Sequence, residues 1–379
     1  MRILHTSDWH VGRTIRGRSR DHEHRVVLSE IAEIAAGEAV DLVLVVGDLF
    51  DTAAPTPAAE RIVYRALLDL ADTGATVVVV AGNHDNERRL QAVEPLLGLG
   101  KVVVQPMLAA PDAGGVIDVG EARIALLPFL SHRWIVRADE LMTLDADQHA
   151  GRYAERLRQI VERLTAGFTP DKVNLVVAHL TATGGLIGGG ERTAHIFGYD
   201  VSGAVFPAAA HYVALGHLHR PQRIAGPCPI WYSGSPLQLD FGETGDTKAV
   251  LLVEASPGVP ATVREVPLQS GRRLRNLRGS LADLRQLAGT TGDDWLRVFV
   301  REPARAGLAD EVRDLFPEAV DVVLESADEA TGPSRREQRQ GRSARELFGD
   351  YLAERDAVDE RVLALFDELY EDAHAAHPA

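Results

Sequence analysis

The sequence predicts an α/β fold in which two β-sheets lie face to face and are covered by helices, a four-layer αββα sandwich. Over residues 1–267, short apolar runs alternate with segments of helical spacing, which is typical of βαβ units with parallel neighbouring strands. The later strands of this part follow one another through short connections, which favours a second, more antiparallel sheet. From about residue 268 the pattern changes to a smaller βαβαβ unit.

The first sheet is predicted around a central strand at Asp41–Val46. Its apolar, mostly β-branched residues indicate a strand buried on both faces. Gly47 then lets the chain turn, and Asp48 presents a carboxylate at the carboxyl end of the strand, where open α/β sheets bind ligands. The other elements of this half are strands at Arg2–Ser7 and Thr76–Ala81 and helices at His22–Glu38 and Pro57–Leu70.

Further strands are predicted from the remaining apolar runs of residues 1–267. A helix near Tyr153–Thr165 separates two of them. The strands are predicted at Ala122–Leu127, Val173–Ala178, Tyr212–Leu215, Ile230–Tyr232 and Ala249–Glu254.

Three segments follow. Residues 268–325 are predicted as a second domain, with helices at Ser280–Leu287 and Leu308–Phe316 and strands at Trp295–Val300 and Ala319–Leu324. Residues 326–342 contain no apolar side chain larger than alanine, which predicts a flexible linker. Residues 343–379 are predicted to begin a helix with a capping box, Ser343 to Glu346. Two apolar clusters on this helix dock either on its own protein or on a partner.

Composition excludes several classes of protein. The net charge of −15, from 40 basic and 55 acidic side chains, argues against nonspecific coating of nucleic acid but not against a phosphate substrate. A single cysteine, Cys228, excludes an internal disulfide framework. No apolar run reaches the about 18 residues that a membrane span needs, so we expect no membrane span. Together with the single cysteine, which fits a reducing compartment, this leads us to expect a cytoplasmic protein.

Metal-type ligands stand at five predicted strand ends. The motifs are Asp8-Trp9-His10, Gly47-Asp48, Gly82-Asn83-His84-Asp85, Ala178-His179 and Gly216-His217-Leu218-His219. At a strand terminus, a spacing of two places both side chains on one face. Any one of these histidines is more often a satisfied polar residue than a ligand. Five such motifs at five strand ends, however, indicate a shared site.

The ligand types indicate the ion and the reaction. Imidazole, carboxylate and amide oxygen without thiolate suit divalent ions of intermediate to hard character rather than structural zinc. The set is too large for one ion and suits two, with Asp48 as the natural bridge. A pair of such ions activates water and binds a phosphoryl oxygen, so hydrolysis of a phosphate ester is the predicted reaction class.

The five motifs resemble the signature of the calcineurin-like metallophosphoesterase superfamily. Beyond them, the chain is similar to the bacterial SbcD (Mre11-type) nucleases over nearly its whole length. The opening segment M-R-I-L-H-T-S-D-W-H-V-G-R, the segment S-R-D-H-E-H, and the segments G-D-L-F-D-T, A-G-N-H-D, A-L-G-H-L-H-R and Y-S-G-S-P carry this resemblance. The resemblance implies a metallophosphoesterase sandwich over residues 1–267, a DNA-binding cap over 268–325 and a partner-binding helix over 343–379.

The resemblance also implies the ligand sets and the cofactor. One metal would be held by Asp8, His10, Asp48 and His219, and the second by Asp48, Asn83, His179 and His217. Members of this family use Mn²⁺ most readily, with Mg²⁺ as the alternative.

His84 resembles the catalytic histidine that contacts the scissile phosphate, and Asp85 is expected to orient it. Asp51 stands where archaeal and eukaryotic relatives have a second active-site histidine, so the division between their exonuclease and endonuclease activities does not transfer. Candidate phosphate contacts are Arg13, Arg16, Arg18 and Arg20. A solvated basic face is an equally good interpretation of each arginine.

The activity that the resemblance implies is DNA phosphodiester hydrolysis in repair, recombination and replication. It would comprise 3′–5′ double-strand exonuclease and single-strand or hairpin endonuclease activities. The implied partner is the SMC-like ATPase SbcC, bound through the terminal helix, with a homodimer of this chain inside a heterotetramer. No nucleotide-binding G-x-x-x-x-G-K-[ST] motif occurs, so any ATP dependence would come from that partner. Two alternatives stay open: another phosphatase or phosphodiesterase of the superfamily, and a noncatalytic scaffold for the ATPase.

Overall fold

The protein is described by a computed structural model that covers residues 1–131, 146–189, 200–325, 344–353, 359, 361–363 and 365–366. The strands are β1 Arg2–Thr6, β2 Thr14–Ile15, β3 Arg18–Ser19, β4 Leu42–Val46, β5 Thr76–Val80, β6 Val102–Gln105, β7 Val116–Val119, β8 Ala122–Leu127, β9 Val173–His179, β10 Tyr212–Gly216, β11 Gln222–Ile224, β12 Ile230–Tyr232, β13 Ala249–Ser256, β14 Val259–Pro267, β15 Leu274–Gly279, β16 Trp295–Val300 and β17 Ala319–Leu324. The helices are α1 Asp21–Gly37, α2 Pro57–Asp72, α3 Glu87–Gly98, α4 Ala146–Thr165, α5 Leu281–Leu287, α6 Leu308–Leu315 and α7 Ala344–Ala353.

Packing divides the described chain into two units, the first spanning Met1–Gly271 and the second beginning at Arg272. The first unit contains two sheets, with strand orders β14-β13-β1-β4-β5-β6 and β11-β12-β10-β9-β8-β7. The predicted boundary after residue 267 and the roles assigned to the segments beyond it stay predictions. The predicted linker, residues 326–342, lies outside the described residues, as does Ser343 of the predicted capping box.

Side-chain alternation along the central strands explains the layers of the first unit. Leu44 and Val46 of β4 face the second sheet and join a core with Val177 of β9 and Ala214 of β10. Their neighbour Val45 faces the opposite way, into a second core under α1, α2 and α3. A third core lies beneath α4 on the outer face of the second sheet. Because successive residues of a strand point to opposite faces, a strand buried on both faces must be apolar throughout, as the predicted αββα sandwich requires.

The second sheet is not more antiparallel than the first, so that expectation was wrong. The pairs β8–β9, β9–β10 and β10–β12 are parallel, and only the outer pairs β7–β8 and β11–β12 are antiparallel. Parallel neighbours need a crossover of about a dozen residues or more. The connection from β8 to β9 contains α4, and the one from β9 to β10 runs from residue 180 to 211, so both are long enough.

Several elements were not predicted. The helix α3 contains Pro95, and Leu90 and Leu97 are its buried residues, so its apolar pattern is weak. The strands β6, β7 and β14 were missed as well. The β14 strand is largely exposed and follows β13 through a tight turn at Gly258, where φ is +78°.

The second unit contains a three-stranded parallel sheet, β15-β16-β17, with α5 and α6 alternating between the strands along the chain. Ser280 caps α5: its hydroxyl accepts from the Asp283 backbone N–H at 3.3 Å, and the Asp283 carboxylate accepts from the Ser280 N–H at 3.0 Å. This pair satisfies two helix-terminal donors reciprocally. Within the described residues, no helix combines the length and apolar character needed to cross a bilayer.

Candidate metal centre

The carboxyl ends of strands from both sheets meet at one buried cluster. The loop after β1 is bonded to the loop after β4, because Asp8 N donates to Gly47 O at 3.0 Å and His10 N donates to Asp48 O at 2.9 Å. The second sheet joins this edge where His217 N donates to an Asp8 carboxylate oxygen at 3.0 Å. The six ionisable predicted ligands are between 0 and 3% exposed: Asp8, His10, Asp48, His179, His217 and His219.

One oxygen of Asp48 faces histidines from both halves of the cluster. Its Oδ2 lies 3.5 Å from His10 Nε2 and also 3.5 Å from His179 Nε2. The other oxygen, Oδ1, accepts from the backbone N–H of His84 at 2.8 Å. A carboxylate held in this way, with one oxygen between two imidazoles, has the geometry expected of a ligand shared by two ions.

Around this carboxylate, potential ligand atoms fall into overlapping groups. Asp8, His10 and His219 form one group, and Asp48, His179 and His217 form another. Asn83 belongs to the second, because its Oδ1 lies 3.0 Å from His179 Nε2 and 2.8 Å from His217 Nδ1. The division of these side chains into two ligand sets stays a prediction. His84 forms a third group with His10 and Asp48.

The histidine tautomers fit metal binding. His179 Nδ1 lies 2.9 Å from Val46 O, and His219 Nδ1 lies 3.0 Å from Glu243 Oε1. Both partners are acceptors, so each Nδ1 carries a proton and Nε2 is the nitrogen left to bind a cation. The two ring nitrogens of His10 are buried and form no hydrogen bond within the described residues; their nearest acceptors are the carboxylates of Asp48 and Asp51 at 3.5 Å, so a cation bound between ring and carboxylate suits this arrangement.

The backbone at the site adopts conformations that ordinary residues avoid. Asp8, His10, Asp48 and His217 all have positive φ, at 53°, 46°, 51° and 111°. Each such residue costs on the order of 1–3 kcal/mol and persists only where its surroundings enforce it. Four of the predicted ligands therefore stand in strained loops, which is typical of functional sites.

Burial and mutual charge control the ionisation of the cluster. Burial would raise the pKa of Asp48, but the positive charges of His179 and His84 hold it well below its usual range. Burial would likewise lower the pKa of His179, but the Asp48 carboxylate raises it to about 9. Burial raises the pKa of Asp8 to about 6 and lowers that of His10 to about 4. The Asp48 charge therefore needs a cation, and a metal that binds His179 must displace a proton.

The structure corrects the expected role of Asp85. His84 Nδ1 lies 2.7 Å from the backbone carbonyl of Asp51, whereas the Asp85 carboxylate accepts from Phe50 N at 3.1 Å and Gly82 N at 2.9 Å. Burial raises the pKa of Asp85 to about 7, and the nearby Asp48 charge adds to this increase. Asp85 therefore ties together the two loops that carry Asp48 and Asn83, and the Asp51 carbonyl orients His84.

The four candidate phosphate-binding arginines differ in their positions. Arg20 is only 1% exposed and forms a two-pronged ion pair with Glu23 at 2.7 and 3.1 Å, so the prediction that it binds DNA was wrong. Arg13 lies at the site: its Nη1 is 3.2 Å from Asp51 Oδ1, and the same oxygen is 3.5 Å from His10 Nδ1. Arg16 and Arg18 are exposed, and their contact with phosphate stays a prediction.

Two further polar residues, Glu243 and Lys248, were missed by the sequence analysis. Both are buried beside His219. They lie in irregular chain between β12 and β13, where neither strand nor helix periodicity marks an inward-facing side chain. The only signal was their position shortly after the segment Y-S-G-S-P, which already carried the resemblance.

An αββα sandwich with a buried cluster of histidine, carboxylate and amide side chains at its strand ends is typical of metal-dependent phosphoesterases. The family model for calcineurin-like phosphoesterase matches residues 1–221, and the chain belongs to that family. Three curated relatives, each named as the SbcD subunit of an SbcCD nuclease, narrow the comparison. The one from Bacillus subtilis strain 168 is 40% identical over 286 residues, 72% of this chain and 71% of that protein.

The other two relatives give similar values. The one from Rhodobacter capsulatus is 37% identical over 71% of this chain and 69% of its own length. The one from Escherichia coli strain K12 is 32% identical over 75% of this chain and 72% of its own length. The resemblance to SbcD-type nucleases is therefore confirmed at the level of the family.

Close packing against Asp48 gives a test of the cluster. A Cβ at Gly82 would lie 2.2 Å from Asp48 Oδ1 and 2.4 Å from Asp48 N, yet Gly82 has no left-handed φ that would strain alanine there. Gly82→Ala should therefore displace the carboxylate and lower the number of tightly bound Mn²⁺ ions, measured by elemental analysis after dialysis. Gly98→Ala is the matched control, because a Cβ there meets nothing within 4 Å. Unchanged Mn²⁺ content in Gly82→Ala would contradict the position assigned to Asp48.

Proposed function

We propose that this chain is the nuclease subunit of an SbcCD-type complex and hydrolyses DNA phosphodiesters with two Mn²⁺ ions, Mg²⁺ being the alternative cofactor. The observation that carries the proposal is the convergence of side chains from five strand ends into one buried cluster, in which Asp48 Oδ2 lies 3.5 Å from both His10 and His179. The names of the relatives supply the substrate class and the partner.

The metal ions, when bound, supply Lewis acidity and an activated water. The proposed ligand sets are Asp8, His10, Asp48 and His219 for one ion and Asp48, Asn83, His179 and His217 for the other. The chain itself keeps these ligand side chains buried and preorganised, so water screens the charges of the site only weakly.

His84 is the proposed proton donor to the leaving oxygen. Its ring lies 4.6 Å from that of His10, centroid to centroid, and its Nδ1 donates to the Asp51 carbonyl. Nε2 is then the nitrogen that can carry a second proton. The attacking water would lose one proton to solvent as its oxygen bonds to phosphorus. The bond from phosphorus to the ester oxygen would break, and that ester oxygen would take the Nε2 proton.

Arg13, Arg16 and Arg18 are the proposed contacts to the DNA backbone. Arg13 is anchored by Asp51 at the site, and the other two lie on the short hairpin β2–β3 that follows. Because the whole chain carries a charge of −15, a local basic segment has to supply the attraction to phosphate.

Substrate comparison tests the proposal against both alternatives. We expect Mn²⁺-dependent cleavage of labelled hairpin, duplex and single-stranded DNA, abolished by chelation. A phosphatase would instead hydrolyse p-nitrophenyl phosphate and leave DNA intact. A scaffold would bind no stoichiometric Mn²⁺ and cleave nothing.

His84→Asn should separate catalysis from metal binding. We expect two bound Mn²⁺ ions, as in the wild type, but DNA cleavage slower by a factor of about 10² or more, since general acid catalysis contributes roughly 10²–10⁴-fold. Single-turnover cleavage and metal analysis measure the two effects. His22→Asn, on an exposed position of α1, is the control and should cleave at the wild-type rate. Unchanged cleavage by His84→Asn would exclude it as the proton donor.

The proposed partner is an SbcC-type ATPase, bound by residues 343–379. In support, the described part of this segment contains α7 and exposes two large apolar side chains that a partner can cover, Tyr351 at 49% and Leu365 at 51%. A homodimer is also proposed. Leu96 and Leu99 at the end of α3 are 69% and 86% exposed and support an apolar contact between two copies, which light scattering of the isolated chain would detect.

Deletion of residues 343–379 should abolish copurification with the ATPase, because the apolar side chains that bind it are removed. Mn²⁺-dependent cleavage of a short single-stranded DNA by the isolated chain should be unchanged. Tyr351→Glu, without the deletion, should also reduce copurification with the ATPase. A truncated chain that still copurifies at full stoichiometry would show that the ATPase binds elsewhere.

A further inference from the structure

A buried ion pair lies directly behind His219. Glu243 is 0% exposed and Lys248 is 8% exposed, and Lys248 Nζ lies 2.8 Å from Glu243 Oε2. Burying two opposite charges costs about as much as their attraction returns, so such pairs are weak sources of stability. The contacts of this pair point to a role at the metal centre instead.

The ammonium group of Lys248 has three N–H donors, and each has a partner. They donate to Glu243 Oε2, to Ser235 Oγ at 2.9 Å and to the backbone carbonyl of His219 at 2.9 Å. Since an ammonium group has no further donor, its position is fully determined by these contacts. Lys248 therefore fixes the main chain of His219.

Glu243 fixes the ring of the same residue. Its Oε1 lies 3.0 Å from His219 Nδ1, while Oε2 accepts from Lys248 and from Leu239 N at 3.0 Å. An ionised carboxylate only accepts, so the proton lies on Nδ1 and the lone pair on Nε2. The ion pair thus holds His219 at both its ring and its backbone.

We infer that Glu243, supported by Lys248, is a positioning residue that fixes which nitrogen His219 presents to a metal ion. The inference rests on the proposed metal centre and deepens it. The two halves of that centre differ in this respect, because the ring of His179 is held by the neutral Val46 carbonyl rather than by a carboxylate. Loss of Glu243 should therefore weaken the ion bound by Asp8, His10, Asp48 and His219 and leave the ion bound through His179 in place.

Three variants test this inference. Glu243→Gln removes the charge, Glu243→Asp keeps the charge but withdraws it from Nδ1, and Glu243→Gln/Lys248→Met removes both charges so that none is left buried alone. Calorimetric titration of the metal-free proteins with Mn²⁺ should show two ions bound by the wild type. In each variant, one of the two should bind about 10–100-fold more weakly, the usual effect of losing a residue that orients a histidine ligand.

Glu23→Gln is the matched control. Glu23 is also a buried carboxylate, and its ion-pair partner is Arg20 rather than a predicted metal ligand. We expect its melting temperature to change and both of its Mn²⁺ affinities to match those of the wild type.

Two results would overturn the inference. One is binding of both Mn²⁺ ions by all three Glu243 variants within about twofold of the wild type. The other is a histidine ¹⁵N spectrum of the metal-free wild type in which His219 carries its proton on Nε2, a result that no folding defect can affect. A wild-type protein that binds no Mn²⁺ would instead refute the proposed function, so the two failures are distinguishable.

Discussion

The buried carboxylate of Asp48 is surrounded by residues from both sheets. Its negative charge would be unfavourable there without positively charged neighbours. It follows the fully buried strand β4, has a left-handed φ of 51°, and lies against Gly82, where no larger residue fits. Its oxygens face His10, His179 and the backbone N–H of His84. A buried carboxylate without positive partners is strongly unfavourable. The surrounding chain therefore has to supply either imidazolium ions or metal cations.

The αββα sandwich provides the rigidity that this arrangement needs. Strands buried on both faces fix the positions of their carboxyl ends, and hydrogen bonds between the loops join one sheet edge to the other. The strained conformations of Asp8, His10 and His217 are tolerated because the surrounding buried structure enforces them. Beyond the ligands, Asp85, the Asp51 carbonyl and Glu243 hold the adjoining loops and rings.

Local sequence was sufficient to predict the main strands and the side chains that cluster at their ends, because each motif directly follows a short apolar run whose end is easy to recognise. The predictions that were wrong concerned features that depend on tertiary contacts. The sequence around Arg20 shows a basic residue near the site, but only the fold places it against Glu23 inside the protein. Similarly, Asp85 is adjacent to His84 in sequence, yet its carboxylate points to Phe50 N and Gly82 N. The strands β8, β9 and β10 pair in parallel through long crossover connections, and the apolar pattern shows where strands lie but not how they pair.

The central claim is that Asp48 bridges two metal ions, and anomalous diffraction from crystals grown with Mn²⁺ tests it most directly. Two manganese peaks should appear about 3.5–4 Å apart, the usual separation in two-metal sites. Asp8, His10 and His219 should contact one peak, Asn83, His179 and His217 the other, and Asp48 both. A single peak, or two peaks of which only one contacts Asp48, would contradict the account.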